Sequence, residues 1–381
     1  MPERLHILAL EPYFGGSHAD FLAGLRAVSR HRWTLLAMPA RKWKWRMRGA
    51  AIHLAREAES LVRRERFDLV LASDFLSLTD WRALAPAPLA SLPTVVFFHE
   101  NQLSYPLEPG QTRDYQYGFT NLTTCLAADE VWFNSACHRD EFLGAMARLL
   151  RKMPDYVPPG LPEAVRARSR VMHLGTNLEP LRAGRGEKPH PPPLTILWSH
   201  RWEYDKNPEA FFKTLFYLAE EGLPFRLAVL GEVFRKWPPI FEEARRRLAD
   251  RIIQFGYLPE REGYEAHVRR ADIVVSTAIH EYFGLAVVEA VAAGCFPLLP
   301  RRQSYPELIP PEWHDVFLYD DERALRRKLA ALLRGKGPWD LARRLAEAMD
   351  RFDWSARGPV FDQALAEAAA RGRRPLFGTD A

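Results

Sequence analysis

Apolar residues recur along this chain in short, strand-sized runs, and most of the runs are separated by segments with helical spacing. In the first half the runs lie at 5–10, 34–37, 68–71, 94–98 and 130–133. The first run leads into Gly15-Gly16-Ser17-His18 and then an amphipathic stretch at 20–30, an order of strand, glycine-rich turn and helix. A second series has runs at 194–198, 226–230, 252–255, 273–276 and 296–299, with helical patterns at 211–221, 241–250 and 284–293. Alternation of strand and helix predicts open parallel α/β sheets, and two such series predict two Rossmann-like domains. The expected division is an N-terminal domain at 1–181, a Pro/Gly-rich linker at 182–193, and a C-terminal domain at 194–354. Residues 355–381 are then a helix and tail packing back on the N-terminal domain, frayed over 371–381. Ligands of such sheets lie at the carboxyl ends of strands, so the cleft between the domains is the expected active site.

Composition narrows the function classes. The chain has 381 residues, of which 47% are hydrophobic and 27% charged, which excludes a wholly disordered, collagenous or coiled-coil protein. The apolar stretch at 284–300 is interrupted by Glu289 and is too short to span a bilayer. No cleavable leader is read at the N-terminus. Cys125, Cys137 and Cys295 are scattered, with no spacing for a metal or a disulfide framework, and a reducing cytoplasm is the expected setting. The net charge is +5, but residues 30–66 alone carry eleven Lys/Arg against three Asp/Glu. That local +8 leaves −3 for the remainder, which suggests an anionic partner for the first half or a solvated basic face.

Five segments carry candidate chemistry. In 276–293, STAIHEYFGLAVVEAVAA, a strand ends in a loop holding Glu281, and a helix starts near Gly284 with Glu289 in its second turn. A helix N-terminus after a strand is a ready anion site. Glu281 can meet sugar hydroxyls and Glu289 a ribose diol, or both are solvated glutamates. In WSHRWEYDKNPEA, Arg201 and Lys206 flank a strand-end loop and can neutralise a diphosphate, or pair on the surface with Glu203 or Asp205. His99, in FFHENQ after an apolar run, faces the cleft to bind the transferring group or act on the acceptor, or is structural. Gly16 lets the backbone approach a ligand closely. The pattern there is not G-x-G-x-x-G, which lowers a dinucleotide-oxidoreductase reading. Finally, Arg41, Lys42, Trp43, Lys44, Trp45, Arg46, Met47 and Arg48 alternate cations with large apolar groups. Read as extended chain, 42, 44, 46 and 48 share one side and Trp43, Trp45 and Met47 the other, as in RNA binding, or the tryptophans pack into the core. Asp74, Asp272 and His280 read as isolated and no metal site is expected. No serine-hydrolase elbow or P-loop is present.

The segment 280–309, HEYFGLAVVEAVAAGCFPLLPRRQSYPELI, resembles the retaining glycosyltransferases of family 4, which have the GT-B fold. EPYFGGSHADFL, MPARKWKWRMRGAA and FFHENQLSYP are similar to the tRNA-queuosine α-mannosyltransferase family. The resemblance covers most of the chain, least in 154–170 and the tail. It implies GDP-mannose as donor, no metal or other cofactor, and the cyclopentenediol hydroxyl of queuosine in a tRNA anticodon loop as acceptor. By the same resemblance Arg201 and Lys206 hold the diphosphate and Glu281 the donor sugar. Phe283, Gly284 and Leu285 supply backbone contacts, Glu289 holds the ribose, and His99 is the cleft histidine. A family 4 enzyme using another nucleotide sugar or a lipid, glycan or small-molecule acceptor, or a non-catalytic RNA-binding relative, are the alternatives.

Overall fold

The computed structural model describes residues 4–107, 110–183, 185, 191–232 and 237–373. Half of the linker expected at 182–193 (184 and 186–190), and 374–381 of the tail, lie outside the described residues. The chain forms two compact units, Met1–Gly175 with Trp354–Ala381, and Thr176–Asp353.

Unit 1 holds a six-stranded sheet of β1 (His6–Phe14), β2 (Arg32–Pro39), β3 (Leu69–Ser73), β4 (Thr94–Phe98), β5 (Glu130–Phe133) and β6 (Ser169–Val171), in the order β2-β1-β3-β4-β5-β6. Every pair is parallel. That requires a crossover after each strand, which is why the apolar runs alternate with helices. Ile7, Leu8, Ala9 and Leu10 are buried on both faces of the sheet, as continuous apolar runs in parallel sheets are. Because β2 lies on one side of β1 and β3 on the other, the chain reverses its winding between β1 and β3. The loops leaving those strands flank the switch point at which open α/β sheets bind ligands.

Unit 2 repeats the plan with β7 (Leu194–Ser199), β8 (Phe225–Leu230), β9 (Ile252–Gly256), β10 (Ile273–Val275), β11 (Phe296–Pro300) and β12 (Leu318–Tyr319). Its order is β12-β11-β10-β7-β8-β9, again all parallel, with the switch point between β7 and β10. β6 and β12 are short edge strands with no apolar run long enough to announce them.

The boundary after the first sheet differs from the sequence reading, whereas at the end of unit 2 only Trp354 moves, joining the final helix. Residues 176–182 belong to unit 2, because the Thr176 N–H donates to the Phe352 carbonyl and its Oγ1 to Glu289. The final helix, Trp354–Arg371, belongs to unit 1. Its Asp362 accepts from Ser29 Oγ at 2.5 Å and from the Arg30 N–H at 2.9 Å, and Arg357 donates to the His173 carbonyl. Trp354 fills space beside Gly24 and Gly175, where an added Cβ would come within 2.0 and 2.5 Å of its ring.

The larger correction concerns 41–48. Residues Trp43–Val62 form a helix, not an extended segment. Alternation over seven residues lost to a longer apolar stripe: Met47, Ala50, Ala51, Leu54, Ala55 and Ala58 recur at helical spacing and are all buried. Lys42, in the left-handed region at φ +56°, precedes the first turn. On this helix Arg46 is buried and its guanidinium donates to the Pro39 carbonyl through Nε and Nη2, each at 3.2 Å. Lys42, Lys44, Trp45 and Arg48 are exposed and Trp43 is half-buried. Among the described residues no helix is long and apolar enough to cross a membrane.

Candidate functional site

The unit 2 site grows from the ends of β7 and β10. The chain leaves β7 through His200 and Arg201, makes a short turn at Tyr204–Lys206, and enters the helix Pro208–Glu220, which Asn207 caps by accepting from the Ala210 N–H. From β10 it passes through Thr277 to Glu281 and enters the helix Leu285–Ala292. The two loops are stitched together. Thr277 Oγ1 contacts the carbonyls of Lys206 and Asn207, each at 2.9 Å, and the Ile279 N–H donates to the Asp205 carbonyl at 2.7 Å. Lys206 is buried and its Nζ donates to the His280 carbonyl at 2.8 Å. It lies 3.0 Å from Asp205 Oδ2 and 3.5 Å from Glu281 Oε2.

These contacts set the charge states. Burial opposes the Lys206 charge, but Glu281 and Asp205 outweigh it and hold the ammonium above its usual range. Burial likewise opposes ionisation of Glu281, and Lys206 with the neighbouring imidazoles outweighs it. His200 and His280 are both pushed down to about 4, by burial first and by Lys206 second, so both are neutral at pH 7. The result is a fixed ammonium and carboxylate with no ionised histidine between them. Arg201 is largely exposed and lies 3.3 Å from Glu203, so the surface pairing considered for it is present.

Gly284 sits at φ +93° before the helix Leu285–Ala292, and a Cβ there would meet the Tyr305 ring at 3.3 Å. The first N–H groups of that helix have no acceptor within it, which is where an anion binds. Phe283 is buried and Ser304 Oγ donates to the carbonyls of Glu281 and Phe283, fixing the turn. Glu289 is no solvated glutamate. It is buried and accepts from Arg261 at 2.6 Å, from Tyr264 Oη at 2.8 Å and from Thr176 Oγ1 at 2.9 Å. Three of a carboxylate's roughly four lone-pair positions are thus taken, leaving one for a ligand. Arg261, Tyr264 and Ser304 were not legible as site residues, because each matters through a contact with a residue distant in sequence.

Unit 1 presents a second group at the ends of β1, β3 and β4. Gly16, at φ +51°, opens the helix Gly16–Val28, whose first turn carries His18. Glu11 is buried. Its Oε1 accepts from the Tyr13 N–H at 2.8 Å and Ser73 Oγ at 2.9 Å, and its Oε2 lies 3.2 Å from His18 Nδ1. The His18 and His99 rings are 4.0 Å apart. The His99 N–H donates to Asp74 Oδ1 at 2.9 Å, which corrects the reading of Asp74 as isolated. Both ring nitrogens of His99 are buried without a hydrogen-bond partner among the described residues. Burial opposes the His18 charge, but Glu11, Asp74 and Glu100 raise it to about 9. Burial pushes Asp74 up to about 8, partly opposed by His18. Burial, then His18 and His138, push His99 well below its usual range. Ligand atoms of Glu11, His18 and His99 all lie within 4.8 Å of one another, a grouping that sequence spacing did not reveal.

Residues 6–176 match the family described as tRNA-queuosine alpha-mannosyltransferase N-terminal, and residues 185–351 match glycosyl transferases group 1. A tRNA-queuosine alpha-mannosyltransferase of Drosophila melanogaster is 37% identical over 332 residues, covering 85% of this chain and 86% of that protein. The chain belongs to the tRNA-queuosine alpha-mannosyltransferase family. It is therefore a glycosyltransferase of the GT-B fold. A GDP-mannose:cellobiosyl-diphosphopolyprenol alpha-mannosyltransferase of Xanthomonas oryzae pv. oryzae is 27% identical over 195 residues, 49% of this chain and 50% of that one. Among solved structures, sucrose-phosphate synthase from Thermosynechococcus elongatus is similar with a TM-score of 0.69 at 16% identity, covering 96% of this chain and all of the other. The catalytic domain of starch synthase IV from Arabidopsis thaliana has a TM-score of 0.71 at 13% identity, covering 97% of this chain and all of that one. Those two share the fold.

Proposed function

We propose that this chain transfers mannose from GDP-mannose, with retention of configuration, to a cyclopentenediol hydroxyl of queuosine in the anticodon loop of tRNA, in the cytoplasm. The observation that carries the donor side is the buried Lys206 ammonium held beside Glu281, with the N-terminus of the helix Leu285–Ala292 following in the same loop. Lys206, Arg201 and the Leu285 N–H take the diphosphate, turning Arg201 from Glu203 towards phosphate. Glu281 accepts from the sugar hydroxyls, Phe283 and Gly284 contribute backbone, and Glu289, steadied by Arg261 and Tyr264, accepts from the ribose. Gly16 and His99 are the candidate ligand contacts of unit 1. The bond from C1 of mannose to the phosphate oxygen breaks as the bond from C1 to the acceptor oxygen forms on the same face. The hydroxyl proton passes to the departing phosphate, giving GDP. The developing negative charge is met by fixed cations and N–H groups, so no metal is required in this reading.

The acceptor side rests on the helix Trp43–Val62. Lys44 Nζ lies 5.6 Å from the Trp43 ring and 5.9 Å from that of Tyr117, and Arg48 lies 5.3 Å from Tyr117. These cations, with Arg41 and Lys42, meet tRNA phosphates, and Trp43 and Trp45 offer faces to bases. Arg46 is excluded because its guanidinium is spent on the Pro39 carbonyl. Replacing Lys42, Lys44 and Arg48 by alanine is expected to weaken tRNA binding and flatten the slope of log K against log salt by up to ~0.7–0.9 per lost contact. Binding of GDP is expected to be unchanged. Titrations at three salt concentrations check this, and an unaltered slope removes RNA from this surface.

The function itself is tested by incubating the purified chain with GDP-mannose, a chelator and tRNA carrying queuosine, then digesting the tRNA for nucleoside mass spectrometry. A queuosine heavier by one hexose is expected, and none from tRNA bearing guanosine at that position. Unmodified queuosine in the presence of donor overturns the reading. Product that forms only without chelator overturns metal independence.

A further inference from the structure

The Glu11, His18 and His99 cluster of unit 1 was not assigned by the functional reading beyond His99, and its chemistry is selective. It lies at the carboxyl ends of β1 and β4 beside the β1–β3 switch point, where ligands of this sheet type bind. Polar groups this deep are ordinarily satisfied, yet His99 keeps two ring nitrogens, one donor and one acceptor when neutral, without partners among the described residues. His18 has spent Nδ1 on Glu11, which leaves Nε2 to point elsewhere. Glu11 is held from behind by Ser73 and the Tyr13 N–H, both on Oε1, so Oε2 is the atom turned to the two histidines.

Each class of ligand can be set against that arrangement. An anion would meet the Glu11 carboxylate, on which the His18 charge is already spent. An apolar group would leave both His99 nitrogens unpaired. A metal ion would need the His18 imidazolium to lose its Nε2 proton, and the Glu11 charge holds that imidazolium protonated. Neutral hydroxyls, each a donor and an acceptor, satisfy His99 and His18 together, and two adjacent hydroxyls suit two rings 4.0 Å apart.

The surroundings say what carries those hydroxyls. Phe75 stacks on His18 with centroids 5.2 Å apart, and Tyr13 and Trp43 lie 5.1 and 6.2 Å from Phe75. Trp43 continues to Tyr117 at 5.1 Å, and there Lys44 and Arg48 begin. An unbroken run of aromatic rings therefore links the cationic helix to the buried cluster. Stacking rings and cations suit the bases and phosphates of a single-stranded loop.

We propose that Glu11, His18 and His99 form the site that recognises a vicinal diol on the acceptor nucleoside, with His18 and His99 contacting the two hydroxyls and Glu11, anchored by Ser73, positioning His18. This rests on the tRNA acceptor proposed above and adds the residues that select it. The site discriminates nucleosides with the diol from those without it.

The test is fluorescence-anisotropy binding of two anticodon stem-loops, one with queuosine and one with guanosine at the same position, to the full chain. The wild type is expected to prefer the queuosine loop, and His18→Ala to lose at least ~10-fold of that preference while binding the guanosine loop and GDP as before. Ser73→Ala leaves both rings in place and is expected to lose a smaller part of the preference. It keeps the test decisive should His18→Ala fail to fold. Preference retained in folded His18→Ala, or in Ser73→Ala when it alone folds, overturns the proposal. So does a stoichiometric Zn²⁺ site, seen by calorimetry with zinc sulfate, that His18→Ala abolishes without changing the preference. Mannosylation of queuosine tRNA by the wild type is measured in parallel. Its absence counts against the transfer reading, whereas the change in preference judges the diol site independently.

Discussion

Replacing Lys206 by alanine is expected to stop transfer and to destabilise unit 2. The ammonium is the buried partner of Asp205 and Glu281, and deleting one member of a buried ion pair costs about 3–5 kcal/mol, because the remaining carboxylate is left uncompensated. For a unit of this size that is a fall in Tm on the order of 10 °C. Lost contact with the donor phosphate adds roughly 1.5–3 kcal/mol to the barrier for transfer. Arg201→Ala separates the two effects. Arg201 is exposed and paired with Glu203 at the surface, where such a pair contributes about 0–1 kcal/mol, so its Tm is expected to stay within a degree or two of wild type. Its kcat/KM for donor is expected to fall about 10–150-fold. Thermal melts beside donor-saturation kinetics check both. A Lys206→Ala chain that melts and turns over like wild type removes the site from this loop.

Gly231→Ala is expected to be at least as damaging, although Gly231 touches no ligand in the reading above. It follows β8 at φ +144°, a region that residues with a Cβ avoid, and an added Cβ would stand 1.8 Å from the His200 carbonyl oxygen. That neighbour is backbone and cannot swing away. The exits of β7 and β8 would have to separate, breaking the bond from the His200 N–H to the Leu230 carbonyl and that from the Trp202 N–H to the Glu232 carbonyl. The segment displaced is the one that carries Arg201 towards Lys206. A destabilisation above ~4 kcal/mol is expected, with loss of GDP binding, read from soluble yield, thermal melting and calorimetry. Gly222→Ala, at φ +73° with nothing near its Cβ, is the control for conformational strain alone and is expected to be much milder.

Local pattern was enough for the architecture. Runs such as 94–98 and 194–198 are continuously apolar because both faces of a parallel strand are covered, and helix-length segments must follow when neighbouring strands run the same way. Strand, loop and helix then place Arg201, Lys206, Glu281 and Gly284 at strand ends, so these residues could be named from the order of elements alone. The alternation at 42–48 misled, because two residues per repeat and 3.6 cannot be told apart over seven positions. The stripe from Met47 to Ala58 decided for helix and buried Arg46 with it.

By itself, then, the chain's pattern determined two α/β units, the elements within them and the loops in which chemistry lies. The tertiary structure decided which atoms meet. Whether Glu289 is solvated or held is open in sequence until Arg261 and Tyr264, both on the helix Arg261–Arg270, and Thr176 are brought against it. Glu11 and His18 stand before and after a glycine turn, with Ser73 and His99 at 73 and 99, and become one cluster only because β1, β3 and β4 are neighbours in the sheet. Strand order is set by which crossovers pack best over the whole unit. That property is collective and no local spacing encodes it, so the residues depending on it were the ones the sequence left unread.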